Sequence, residues 1–266
     1  MNKIKVILRK EWLELRQEKA LLLTTALLPL FFSVAPLVFA FIIKSADLQD
    51  MQDEMQDFSQ LLNVNPAFRG MNMLEFAQAA MGQQIGMIFL LLPMILPSVI
   101  ASYSIVGEKT SRTLEPVLAT PVTTLEFLLA KSITAVLPGV IMTWVAAAIF
   151  ALGMLAAAVS SRAYAAIISP AWLLMLLLWA PLLSLITVGL TVLISSKAND
   201  PRSAQQISVV LILPMVGLIV AQLSGVLVLG PLVVLLGALG LAFVAAIIMS
   251  FSVQFFQRDS ILTRWN

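Results

Sequence analysis

The chain has no histidine and no cysteine. That excludes disulfides, Cys/His zinc sites, thiol nucleophiles and every mechanism in which a histidine activates a serine or cysteine. Charge is scarce as well. Only 11% of the 266 residues are Asp, Glu, Lys or Arg, against about 25% in a soluble domain. Sixteen bases and fourteen acids leave a net charge of +2, which gives no footprint for a nucleic-acid reader. There is no G-x-x-x-x-G-K-[ST] phosphate loop, so the chain has no cradle of its own for nucleotide phosphates. What is abundant is apolar: 60% of the residues are hydrophobic. This composition rules out a large soluble enzyme and a disordered chain.

About 20 apolar residues cross a bilayer core of about 30 Å. Charge-free runs of that length give spans at 20–43 and 84–106, a third at 132–161 on a helix over 123–161, and a fourth at 171–195 after Pro170. Residues 205–257 hold no charge over 53 positions. That suits two spans, 207–229 and 232–255, broken at Gly230-Pro231. Six spans place both termini on one side. Thirteen bases fall on that side, in 1–19, 107–131, 196–206 and 256–266. Three fall on the other: Lys44, Arg69 and Arg162. The positive-inside rule therefore puts both termini in the cytoplasm. The outer segment 44–83 has six acids and two bases, as a translocated loop would. The first apolar run is too long for a signal peptide and is read as a retained helix. The expectation is an all-α integral membrane protein, multi-pass in the cell membrane, with one transmembrane domain over 1–266.

The charge-free runs also exclude most ion-coupled carriers, which place ionisable groups inside the membrane. If the chain moves a substrate uphill, another chain supplies the energy. Thr25, Ser33, Ser98, Ser102, Gln222 and Ser224 are the polar candidates to line a pathway. The competing reading is that they bond to their own or a neighbouring helix. Pro93 and Pro97 lie one turn apart and should kink the second span, as a gate or as a tolerated bend. The Ala/Gly-rich stretches 146–148, 156–158 and 237–246 suit close helix packing.

Three segments outside the spans carry information. In 1–19, Ile4, Leu8, Trp12 and Leu15 recur at helical spacing, which predicts an interfacial helix anchored by Trp12. In 45–62, Leu48, Met51, Met55, Phe58 and Leu62 form a stripe, which predicts an amphipathic helix resting on the outer ends of the spans or meeting a second copy. In 107–131, Thr123 and Glu126 form a capping box flanked by Val122 and Phe127 as a hydrophobic staple. A helix should begin there and continue as the third span. Pro121 ends whatever precedes it, and Pro116 suits the first turn of a short helix. Leu114, Val117 and Leu118 then need a burial partner, either a groove on a soluble protein or the chain's own bundle.

The run from Glu108 to Pro121, continuing to Lys131, resembles the signature of ABC-2 type permeases. Arg9-Lys10-Glu11-Trp12-Leu13-Glu14-Leu15-Arg16, ending in Leu28-Pro29-Leu30, looks like the N-terminal segment of the branch related to sodium and drug export. Ile194-Ser195-Ser196 followed by Arg202-Ser203-Ala204-Gln205-Gln206 resembles the loop between that family's fourth and fifth spans. The sequence departs from the pattern at Arg112 and Ala130, where the family has glycine. The resemblance implies an ABC-2 (type V exporter-like) permease fold and an exporter subunit that is not itself an enzyme. It binds no cofactor in this chain; ATP and Mg sit on a separate ATPase subunit, present in two copies. It also implies a second permease half, identical or paralogous, in contact with membrane lipid and with no nucleic acid. The loop 107–122 would be the coupling helix, with Glu108, Lys109, Arg112, Leu114, Glu115, Leu118 and Glu126 toward the ATPase. Asp200 and Arg202 in 196–206 would form a second contact. The alternative is a six-span scaffold subunit of a translocation or assembly complex.

Overall fold

Two helices begin with the same reciprocal device. Asn72 Oδ1 accepts from Glu75 N–H at 2.8 Å, and the Glu75 carboxylate accepts from Asn72 N–H at 3.0 Å. Thr123 Oγ1 accepts from Glu126 N–H at 3.2 Å, and Glu126 Oε2 accepts from Thr123 N–H at 2.8 Å. Each box satisfies two amide donors that a helix start leaves open. The second box stands where the sequence places it. The first was not anticipated, and it starts the second span's helix at Met73 rather than near Gln84. Glu75, which counts as loop charge in a hydropathy reading, lies in the first turn of that helix and closes its capping box with Asn72.

The computed structural model describes residues 3–45, 68, 70–110, 123–197, 212–223 and 229–255. Among them the order is α1 (Lys3–Gln17), α2 (Lys19–Ser45), α3 (Met73–Ile88), a 3-10 turn (Phe89–Leu91), α4 (Leu92–Thr110) and α5 (Thr124–Ala157). Then come α6 (Ser161–Ile167), α7 (Pro170–Lys197), α8 (Leu213–Leu223) and α9 (Pro231–Phe255). Among the described residues five stretches are long and apolar enough to cross a membrane: Thr25–Ser45, Met73–Ser104, Leu125–Ala157, Ser161–Ile194 and Pro231–Ser252. Of the expected fifth span, 207–229, the described part is helical as α8, with Leu213–Gln222 as a shorter apolar stretch. The amphipathic stripe in 45–62 lies outside the described residues.

The second stretch is the most enclosed, and its prolines explain its local geometry. Pro93 has no N–H to give the Phe89 carbonyl, which takes the Leu92 N–H instead, and the chain tightens into the 3-10 turn there. Pro97 likewise leaves the Pro93 carbonyl without its helical donor. Ser184 of α7 supplies one at 2.9 Å. On the other side of the Pro97 ring lies Gly139 of α5, where an added Cβ would sit 2.5 Å from Pro97 Cγ. Pro97 and Gly139 thus pack directly against each other where α4 meets α5.

The main core gathers Phe89, Phe150 and Trp172, with ring centroids 5.3 to 6.2 Å apart. Indole donors tie it outward: Trp144 to Leu176 O at 3.1 Å and Trp179 to Val234 O at 2.9 Å. The small-residue stretches serve as close contacts. Ala146 and Ala157 are buried, and Gly237 leaves room for the Trp179 ring. At the end opposite α1, Gln78 joins three elements. Its amide donates to Ala40 O at 3.1 Å and to Ala157 O at 2.9 Å, while its carbonyl accepts from Val159 N–H at 2.8 Å.

Candidate functional site

A smaller core lies at the α1 end of the bundle. Ile100 and Ala101 from α4, Phe127, Leu128 and Ala135 from α5, and Val188 and Val192 from α7 form it, with Leu15 of α1 packed against it. Two buried charged side chains and a half-buried serine, Ser104, meet beside it. Lys131 of α5 is 3% exposed and Glu11 of α1 is 4% exposed. Lys131 Nζ lies 3.0 Å from Glu11 Oε1, 2.6 Å from Ser104 Oγ and 3.1 Å from Ser104 O. Ser104 Oγ in turn donates to Glu11 Oε2 at 2.6 Å. An ammonium has three protons, and here each has an acceptor. Its charge also stands 5.2 Å from the Phe127 ring centroid.

Burial by itself would raise the Glu11 carboxyl pKa. The Lys131 ammonium, the Ser104 and Lys131 hydrogen bonds and nearby Lys10 outweigh it and hold the group below its ordinary value. The Glu11 carboxylate is therefore held in its ionised form at neutral pH. A buried ion pair withstands desolvation only when its remaining donors and acceptors are satisfied, as they are here.

The placement of this node gives it meaning. Ser104 lies near the end of α4, just before the loop 107–122. Lys131 lies two turns into α5, just after it. Glu11 ties both flanks of the loop to α1, which precedes the first span. The node thus holds three helices at one point, on both sides of the loop.

The expected site residues fall into three groups. Glu126 caps α5 through Thr123. Glu108 and Lys109 lie in the last turn of α4. Arg112, Leu114, Glu115 and Leu118, with Asp200, Arg202 and Ser224, lie outside the described residues. Among the polar candidates within the spans, Ser33 Oγ lies 2.7 Å from Pro29 O and 3.0 Å from Ala146 O, within the contact of α2 with α5. Thr25 is buried. Ser98 and Ser102 are buried one turn apart on α4, and neither hydroxyl has a hydrogen-bond partner among the described residues; nor does the Gln222 side-chain carbonyl.

The node itself is absent from the sequence reading, although a signal for it existed. Glu11 is three residues after Leu8 and four before Leu15, so it shares their face. The expected face used Trp12 instead. In the structure the buried side of α1 is turned by one residue: Glu11 points inward and Trp12 is 37% exposed.

A family model described as ABC-2 family transporter protein matches residues 5–236. No curated protein matches the chain.

Proposed function

Because the chain belongs to the ABC-2 transporter family and is a multi-pass membrane protein, we propose that it is the permease half of an ATP-driven exporter whose ATPase is a separate subunit. In this reading both termini and the loop 107–122 face the cytoplasm, the bundle has six spans, and two permease halves pair over two ATPase subunits. The observation that carries the proposal is the Glu11–Ser104–Lys131 node. A coupling loop is useful only if its motion reaches the spans. Here the helices on both sides of the loop are locked to each other and to α1 by a buried, fully satisfied ion pair.

The proposed sequence of events follows from that linkage. ATP binding closes the partner ATPases and pushes the loop. Glu115, Leu114 and Leu118 make the contact, with Asp200 and Arg202 as a second one. α4, α5 and α1 move together, the spans swing, and the cargo is released outward. A core without ionisable groups in most of its depth suits a hydrophobic or amphipathic cargo better than a highly charged one.

The test is purification of the chain from its native membrane in mild detergent. A Walker-motif ATPase at near-equal stoichiometry is the expected companion. Its consistent absence would favour the scaffold reading over the exporter.

A further inference from the structure

The face of α1 that does not enter the node has its own pattern. Lys5, Arg9, Trp12 and Arg16 recur at intervals of four, three and four residues, which is one stripe along a helix. All four are exposed. Alongside them Val6 and Leu13, seven residues apart, are 47% and 51% exposed. No acid interrupts the stripe. Glu14 lies on another side of the helix, where it pairs with Lys10 at 3.2 Å. The Arg16 guanidinium stands 5.7 Å from the Trp12 ring centroid, so cation and aromatic occupy the same level.

The height of this stripe is fixed by the chain. α1 is followed after one non-helical residue by α2, and the charge-free run of α2 begins directly after Lys19, at the first residue of that helix. The inward face of α1 is held against the bundle by Glu11 and Leu15. Its outward face therefore lies in the headgroup zone, presenting bases beside Trp, Val and Leu. Anionic headgroups complement the bases, and the headgroup–acyl boundary accepts the apolar side chains.

We propose that the Lys5–Arg9–Trp12–Arg16 stripe of α1 binds anionic phospholipid headgroups and holds α1, through Glu11, in the register the node requires. The proposal rests on the multi-pass membrane reading alone and does not need the coupling assignments to hold.

The experiment uses the full chain in nanodiscs of phosphatidylcholine mixed with phosphatidylglycerol. Enrichment of phosphatidylglycerol around the protein is measured by native mass spectrometry. Quenching of Trp12 by brominated phosphatidylglycerol, against brominated phosphatidylcholine, is measured as the difference from Trp12→Phe. Each stripe base removed should lower the enrichment roughly fivefold, so Arg9→Gln/Arg16→Gln should lose most of it. Arg9→Lys/Arg16→Lys should retain it. Lys10→Gln, off the stripe, should change it little. Unchanged enrichment in Arg9→Gln/Arg16→Gln overturns the proposal. So does an equal loss in Lys10→Gln, which would mean that net charge alone is sensed. If the stripe variant instead loses a co-purifying ATPase and keeps its lipid, the face binds protein and the proposal also fails.

Discussion

Lys131 and Glu11 are worth more as a pair than either is alone. Removing the cation leaves a carboxylate that is 4% exposed with its main countercharge gone. Lys131→Met should therefore destabilise the chain by about 3–5 kcal/mol, and adding Glu11→Gln should recover most of that loss. Chemical unfolding of the four variants in one detergent gives the coupling; additive effects would mean the two residues do not act together. The same pair sets a pH dependence. The folded-state pKa of Glu11 is lowered from 4.5, so the folded chain holds its proton less readily than the unfolded one. Stability from this group is fully present above about 4.5 and is lost as pH falls through the lower folded value. The melting temperature of the native chain should drop in that acid window. Glu11→Gln should flatten this part of the profile, and an unchanged acid limb would mean other carboxylates dominate.

At the scale of the element, α4 shows how a helix with two prolines stays buried. The Pro93 carbonyl is satisfied from α7, so Ser184→Ala should cost about 1–3 kcal/mol by leaving a buried acceptor unpaired. The Pro97 ring cannot swing aside, so Gly139→Ala should cost about 1–3 kcal/mol through forced separation of α4 and α5. Gly240→Ala is the control. Among the described residues nothing outside its own helix backbone lies within 4 Å of its added methyl, and a helical alanine should stabilise α9 by up to about 1 kcal/mol. Thermal unfolding of the three variants should therefore give two losses and one gain. These elements also show what a sequence can and cannot disclose. The Thr123–Glu126 cap was legible because both partners lie within four consecutive residues. The Asn72–Glu75 cap is equally local, but a search for charge-free runs discards Glu75 as loop charge. Ser184 and Pro93 are 91 residues apart, and no local pattern joins them. Glu11 and Lys131 are 120 apart, and each alone reads as an ordinary charge near a membrane surface.

Across the whole molecule, charge is rare; among the described residues it is buried at Glu75, in the cap of α3, and at the Glu11–Lys131 pair beside the loop 107–122. The apolar runs identified the spans because membrane burial is a property of composition. They could not identify the node, because pairing is a property of tertiary contact. The two meet in one prediction. If the loop takes force from an ATPase and the node passes it on, disturbing either should uncouple the system in different ways. Glu115→Lys should weaken ATPase docking by at least about tenfold, since like-charge juxtaposition at an interface costs several kcal/mol. Stability and membrane insertion should be unchanged, because residue 115 falls outside the apolar runs. Glu11→Gln/Lys131→Met should behave in the opposite way: ATPase co-purifies normally, but ATP hydrolysis no longer responds to substrate. Co-purification stoichiometry and substrate-stimulated ATPase, measured on both variants, separate the two roles. Normal transport by Glu115→Lys would remove that residue from the coupling contact. Full coupling in the double variant would make the node a fastening of the fold and not a transmitter.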